Sequence, residues 1–151
     1  MKIGFVASSG GHWEELMCLK EIADENDTFY VTEQGAQASN SGLESIYILP
    51  QINRYEKNFF VHFISLFFKA RKILRKEMPQ LIITTGALIA FPFCVYAKKQ
   101  GAKIIYIESF ARIKNASLTG RLVYRIADLF LVQWETLLKI YPNAKYVGGI
   151  F

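Results

Sequence analysis

Residues 1–20 read MKIGFVASSGGHWEELMCLK. Ile3–Ala7 is an apolar run of strand length. Ser8-Ser9-Gly10-Gly11 breaks it, and an amphipathic stretch begins at His12. Strand, glycine turn and helix in this order make a ready phosphate-binding unit, because glycines let backbone N–H groups approach a ligand at the positive end of a helix. Whether the unit stands alone or opens a repeating α/β pattern decides the fold.

The pattern repeats. Further strand-length runs fall at Thr28–Thr32, Ser45–Leu49, Leu81–Thr85, Lys103–Ile107, Leu129–Val132 and Lys145–Val147, after a first strand at Lys2–Ala7. Several are unbroken Ile/Val/Leu/Phe/Tyr runs, as expected of strands covered on both faces. Between them lie helical patterns at Trp13–Glu25, Asn58–Glu77, Phe91–Gln100, Leu118–Ile126 and Glu135–Ile140. Alternating β and α elements predict an α/β fold: one Rossmann-like domain over residues 1–151, with a mainly parallel sheet flanked by helices. The small, polar loop at 34–42 (QGAQASNSG) is the expected mobile segment.

In an open parallel sheet, ligands sit beyond the carboxyl ends of the strands. The segments to read are therefore Ser8–His12, Thr32–Gly35, Thr85–Ala87, Glu108–Arg112 and Gln133–Glu135. A dinucleotide fingerprint is a poor match: glycine holds one of three positions, and Trp13 stands where close helix–strand packing needs a small residue. Glu33 lies near the place of a ribose-binding acid. A GxxxxGK[ST] phosphate loop is absent from the sequence. What remains is an anion-binding turn at Gly10 and Gly11 with His12 beside it, or a plain helix start capped by Ser9 with an exposed His12. His62, within an apolar helical stretch, is expected to pack. Thr85-Gly86 and Glu108-Ser109 fit caps and turns as well as ligand contacts. Arg112 is placed to clamp phosphate or to pair with Glu108. Trp134 is either core or an aromatic wall.

Charge is unevenly spread. Residues 1–53 carry two basic and eight acidic side chains, a net of −6, whereas residues 54–125 carry 14 basic and three acidic ones, a net of +11. Such a basic half suits an anionic partner: nucleic acid, a phosphorylated substrate or an acidic membrane face. Cys18 and Cys94 lie far apart in helical patterns, without CxxC or zinc spacing, and fit a reducing compartment. The first apolar run is too short for a signal peptide.

The stretch 54–77, RYEKNFFVHFISLFFKARKILRKE, has more apolar surface than one sheet can use. Phe59–Phe68 is about half the ~20 residues that span a bilayer. At about 100° per residue, Phe59, Phe63, Leu66, Phe67, Ala70, Ile73 and Leu74 form a core stripe. His62, Ser65, Lys69, Lys72 and Lys76 form a polar strip. Phe60, Val61, Ile64 and Phe68 share the third sector with Arg71 and Arg75. Aromatics beside arginines fit contact with an anionic membrane better than nucleic acid, which tolerates exposed phenylalanine poorly.

The strings ASSGGH, TTGA, YIESFARI, SLTGRLVYRIADLFLVQWE and YVGGIF together resemble the family of the fourteenth asparagine-linked-glycosylation (Alg) protein, in its bacterial relatives from capsule and exopolysaccharide clusters. The GGH turn is also similar to that of MurG-type glycosyltransferases. The resemblance spans essentially the whole chain. It implies the N-terminal half of a GT-B glycosyltransferase: a membrane-associated, acceptor-side subunit whose partner, the C-terminal half, binds the UDP-sugar. It implies transfer to an undecaprenyl-diphosphate-linked saccharide at the cytoplasmic face of the membrane, without cofactor, metal or nucleic acid, and with little activity in the isolated chain. Eukaryotic members carry a transmembrane helix before the first strand. This sequence opens on the strand, which gives the 54–77 stretch more weight as the membrane contact.

Carried onto this sequence, the resemblance makes Gly10 and Gly11 diphosphate binders and His12 an acceptor contact or the base, with Glu108 the rival base and Arg112 a diphosphate clamp. Ser9, Thr85, Gly86 and Ser109 complete the expected acceptor-phosphate set. Phe60, Ile64, Phe68, Arg71 and Arg75 are the expected membrane contacts. Gln133, Trp134, Ile150 and Phe151 are the expected contacts with the catalytic subunit. A self-sufficient small glycosyltransferase and a basic membrane- or nucleic-acid-binding module are the alternatives.

Overall fold

The computed structural model describes residues 1–35 and 42–150. Within these described residues, seven strands form one sheet: β1 (Lys2–Ala7), β2 (Asp27–Glu33), β3 (Ile46–Leu49), β4 (Leu81–Gly86), β5 (Lys103–Ile107), β6 (Leu129–Val132) and β7 (Lys145–Tyr146). Their order is β3-β2-β1-β4-β5-β6-β7, and every neighbouring pair is parallel. The chain thus runs outward from β1 in one direction, returns, and continues from β4 in the other. The point of reversal lies between β1 and β4, where such sheets open a crevice.

Among the described residues, five helices cover the sheet: α1 (Gly11–Met17), α2 (Lys20–Asp24), α3 (Phe59–Glu77), α4 (Ala90–Lys99) and α5 (Leu118–Val123). A 3₁₀ turn follows at Glu135–Lys139. Strand residues alternate between two cores. Val6, Phe29, Val31, Ile82, Ile104 and Tyr106 pack under α3, α4 and α5, whereas Ile3, Phe5, Ala7, Tyr30, Ile83 and Ile107 pack under α1 and α2. The strands expected from the sequence are present within about a residue of their bounds. The expected Trp13–Glu25 helix is instead two helices, because Leu19 N–H bonds the carbonyl of Leu16 and Ile22 N–H that of Leu19. These tighter turns redirect the chain so that Leu16 and Ala23 both reach the core. The expected 118–126 helix stops at Val123, and 135–140 winds as 3₁₀. Most of the 34–42 loop lies outside the described residues.

α3 ends where the sequence demands. Met78 takes a left-handed conformation (φ 48°) and donates its N–H to Leu74, and Pro79 cannot continue the helix. Glu77, buried in the last turn, pairs with Lys2 at 2.7 Å and accepts the Tyr47 hydroxyl, joining α3 to β1 and β3. Leu66, Ala70, Ile73 and Leu74 are buried as the core stripe requires, while Phe60, Val61, Ile64 and Phe68 stand in solvent at 57–76% exposure. His62 corrects the packing expectation: it is half-exposed beside Glu56, Nδ1 to Oε2 3.4 Å. The wheel already placed it on the polar strip, away from the sheet.

Across the sheet, Asp128 gathers Lys98 from α4 (2.7 Å), Lys103 (3.2 Å) and the backbone N–H of Ile104 from β5 (2.9 Å). Burial alone pushes this carboxyl up, but the Lys98, Ile104 and Lys103 donors outweigh it and hold the group at about 2. A carboxyl lowered in the folded state stabilises above its ordinary value and loses that contribution as pH falls toward the folded one. Asp128→Asn is expected to cost about 1–2 kcal/mol at neutral pH in urea unfolding. The gap from the native chain should narrow as the pH is lowered from 3.8 toward 2.

Candidate functional site

The loop after β1 crosses the reversal point of the sheet. Gly10 holds a positive φ of 83° with ψ −143°, open to glycine but not to ordinary side chains, and turns the chain into α1. α1 has no side-chain cap among the described residues, so Ser9 is not the cap; it packs against Gly35 instead. His12, one residue into α1, is tied to the end of β4 by two reciprocal bonds. Its Nδ1 lies 2.8 Å from the carbonyl of Thr85, and the Thr85 hydroxyl donates to the carbonyl of His12 at 2.6 Å. A carbonyl can only accept, so Nδ1 carries the hydrogen and the lone pair of neutral imidazole is left on Nε2.

His12 lines a crevice of about 430 Å³ above the C-terminal strand ends. Ser8 follows β1 and Glu33 ends β2, Gln51–Glu56 come from the segment after β3, Ala87 and Leu88 from the β4 loop, and Arg112 with Ser117–Thr119 from the chain after β5. Gly86 (φ 109°) and Ala87 (φ 70°) hold the β4 loop in the left-handed region. A Cβ on Gly86 would meet the Tyr106 hydroxyl at 2.7 Å, so this turn needs glycine for space as well as for φ. Arg112 is exposed on the crevice wall, and among the described residues it forms no ion pair with Glu108. Glu33 is 7% exposed; burial pushes its carboxyl up, against the partial compensation of the Ile52 backbone N–H.

Beneath the crevice lies a network of two buried carboxylates. Glu15 of α1 accepts the Ser109 hydroxyl (2.9 Å), the Phe110 N–H (3.2 Å) and the Gln133 side-chain amide (3.0 Å). Glu108, fully buried, accepts Ser109 N–H (3.1 Å), Ser117 N–H (3.2 Å), Ser117 hydroxyl (3.1 Å) and Tyr141 hydroxyl (2.8 Å). Burial and the Glu108 charge push the Tyr141 hydroxyl far up, which keeps it a donor. Gly120 sits where any Cβ would collide with the Glu108 carboxylate.

This geometry redistributes the expected site residues. His12 and Arg112 meet at the crevice. Glu108 is corrected from rival base to organising carboxylate, because its lone pairs are spent on four donors and none of its surface reaches solvent. Ser109 is likewise removed from the acceptor set: its hydroxyl is buried on Glu15. Thr85 acts through its carbonyl on His12, and Gly86 through its backbone. Gln133 is 2% exposed and holds Glu15 and the Glu108 carbonyl (3.1 Å), so its side chain is not a surface contact. Its Oε1 accepts the Ile150 N–H at 3.0 Å, and the Ile150 side chain is half-buried against the α1-side core. Phe151 lies outside the described residues. Trp134 is part of an aromatic wall, donating Nε1–H to the Phe110 carbonyl (2.6 Å) with ring centroids 4.9 Å apart.

Sequence reasoning missed the 51–56 segment and the load on Glu15. The segment had a readable signal, since it follows a strand end like the others. Glu15 had none: a glutamate in an amphipathic helix reads as solvated.

An all-parallel sheet reversing between β1 and β4, with a glycine turn and a histidine at the reversal, is the N-terminal Rossmann-like half of the GT-B glycosyltransferase fold. MurG from Acinetobacter baumannii superposes with a TM-score of 0.74 over 97% of this chain at 14% identity. The UDP-GlcNAc 2-epimerase from Methanocaldococcus jannaschii gives 0.73 over 99% at 14% identity. The chain spans 45% and 46% of those two proteins, about half of each. The family model described as "Oligosaccharide biosynthesis protein Alg14 like" matches residues 51–150, and the chain belongs to that family. Among curated relatives, the UDP-N-acetylglucosamine transferase subunit ALG14 of Mus musculus is 28% identical over 181 aligned residues, covering 99% of this chain and 83% of its own. Its counterpart in Kluyveromyces lactis is 57% identical over 49 residues, covering 32% of this chain and 21% of its own.

Glu108→Ala strands four buried donors and is expected to lower unfolding free energy by about 3–5 kcal/mol. His12→Ala, at a half-buried helix start, is expected to cost about 1 kcal/mol or less. Urea denaturation of both variants checks the division between organising carboxylate and crevice residue.

Proposed function

We propose that this chain is the acceptor-side subunit of a two-component glycosyltransferase, transferring sugar from a UDP-sugar held by a partner to an undecaprenyl-diphosphate-linked saccharide in capsule or exopolysaccharide synthesis. The observation that carries this reading is the crevice at the sheet reversal, where His12 is held in one tautomer with Nε2 left over and Arg112 stands unpaired with Glu108 on the wall. Family membership, and relatives named as transferase subunits, support it.

In this reading, Arg112 and the backbone of the Gly10-Gly11 turn meet the acceptor diphosphate. The His12 Nε2 accepts the proton of the acceptor hydroxyl as its oxygen attacks the anomeric carbon. The bond from that carbon to the β-phosphate oxygen of UDP breaks on the opposite face, and UDP departs with the bonding pair, inverting the configuration. The Thr85 carbonyl steadies the imidazolium through Nδ1–H. Phe110, Ile113 and Trp134, exposed or half-exposed beside the β5 and β6 ends, form with half-buried Ile150 the surface offered to the catalytic subunit.

The same reading places the chain on the cytoplasmic face of the membrane. No helix among the described residues is long and apolar enough to cross a bilayer. Phe60, Ile64 and Phe68 would enter the interface while Arg71 and Arg75 meet anionic headgroups.

Co-expression with the neighbouring-gene glycosyltransferase and assay of labelled UDP-sugar transfer into membranes tests the assignment. The pair should transfer and either chain alone should not. His12→Ala should lower turnover of the assembled pair about 10²-fold or more without loss of co-purification. Unchanged turnover would leave His12 only its hydrogen bond to Thr85. Separately, a Phe60→Ser/Phe68→Ser variant should bind anionic vesicles at least about tenfold more weakly, with unchanged thermal stability. Equal binding would remove α3 as the membrane contact.

A further inference from the structure

A groove leads away from the crevice along the outer side of β3. Two further cavities lie there, of about 250 Å³ and about 470 Å³, between β3, the segment after it and one side of α3. They adjoin the crevice and each other through shared wall residues. Gln51 and Ile52 line both the crevice and the first cavity, and Leu49, Pro50 and Lys69 line both the first and the second. The floor is apolar: Leu49, Pro50 and Ile52 on one side, Leu66 and Ile73 of α3 on the other. β3 is an edge strand, and its Ile48 is 41% exposed, so the outer cavity is open to solvent there.

The charges are of one sign. Among the described residues lining the two cavities, Lys69, Lys72 and Lys76 are the charged side chains, with His62 and Tyr47 the other titratable ones, and no carboxylate lines them; Glu56, of the crevice, lies 3.4 Å from His62. The nearby Glu77 is turned to Lys2 and Tyr47. Lys76 lies over the Tyr47 ring at 5.4 Å, laying its hydrocarbon stem along the groove. Lys72 also borders the surface formed by Phe68, Arg71 and Arg75, so the outer rim of the groove meets the exposed aromatic sector of α3. An apolar trough with a lysine rim therefore joins a crevice wall carrying Arg54 and Arg112 to the part of the surface best suited to a bilayer.

We propose that this groove seats the polyisoprenoid tail of the lipid-linked acceptor between its diphosphate in the crevice and the membrane. The proposal rests on the acceptor reading above and deepens it. An amphiphile with an anionic head and a long apolar tail matches the order of surfaces: Arg54 and Arg112 in a crevice that Glu33 and Glu56 also line, then the apolar trough, the lysine rim and the exposed aromatic sector of α3. The tail is thereby shielded from water while the head is lifted clear of the bilayer to reach His12, and the lysines meet the anionic headgroups at the exit.

Two variants address the groove without touching the crevice. Ser65→Phe fills the inner cavity, and Ile48→Glu puts a carboxylate on the open side of the outer one. Titration of the full chain with geranylgeranyl diphosphate and isopentenyl diphosphate varies the tail and keeps the head. The native chain should bind the longer compound at least about tenfold more tightly. Both variants should bring the two within about twofold while leaving isopentenyl diphosphate binding, vesicle binding and thermal melting unchanged. A native ratio retained in both variants overturns the proposal, as does no tail preference in the native chain. Displacement of geranylgeranyl diphosphate by short-chain phosphatidylglycerol at equal affinity overturns it in favour of a phospholipid site. In the assembled pair, transfer with an undiminished preference for long-tailed acceptors in the variants sinks the groove and leaves the acceptor reading standing. Absence of transfer to any lipid-linked acceptor sinks that reading and, with it, the acceptor as occupant.

Discussion

A carboxylate can be buried only when hydrogen-bond donors replace the water it loses, and two of them lie under this crevice. Glu15 and Glu108 are saturated by Ser109, Phe110, Ser117, Gln133 and Tyr141. These donors come from the chain after β5, the end of β6 and the segment beyond the 3₁₀ turn, while Glu15 itself comes from α1. The requirement for saturation therefore ties together the loops that surround the site. It fixes the start of the segment carrying Arg112, and it places Gln133 where the Ile150 N–H can reach it. The crevice floor is rigid because it is polar and complete, and the wall above it is free to carry chemistry.

The reversal between β1 and β4 has its own fastening. The reciprocal bonds of His12 and Thr85 join the first turn of α1 to the last residues of β4, where no ladder continues beyond the strand ends. The same bonds choose the tautomer of His12. One geometric feature thus closes the sheet end and leaves the Nε2 lone pair of a histidine that lines the crevice without a claim from Thr85.

The strands were legible because each is a short apolar run buried on both faces, and burial on both faces leaves little else in the composition. The exposed sector of α3 was legible for the converse reason: Phe60, Ile64 and Phe68 fall off the core stripe at helical spacing, and no packing on one sheet can cover them. His12 and Arg112 could be placed from strand ends alone. Glu108 could not be assigned, since a glutamate just past a strand reads the same whether it faces the crevice or turns beneath it. Gln133, expected at the surface, is buried for the same reason. The 51–56 segment escaped notice although it follows a strand, because it carries no glycine turn to draw attention.

The sequence by itself determined the alternation of strands and helices, the glycine turn at the reversal and the surplus apolar face of α3. These depend on periodicity and backbone freedom, which are local. Only the tertiary structure decided which carboxylates are buried and which line the crevice, which nitrogen of His12 is bound to Thr85, and that β3 and α3 enclose cavities adjoining the crevice. Those outcomes depend on which donors arrive from distant segments and on how a helix face meets an edge strand. The turn at 8–12 was readable as a site from twenty residues. Its chemistry was set by Thr85, some seventy residues further along the chain.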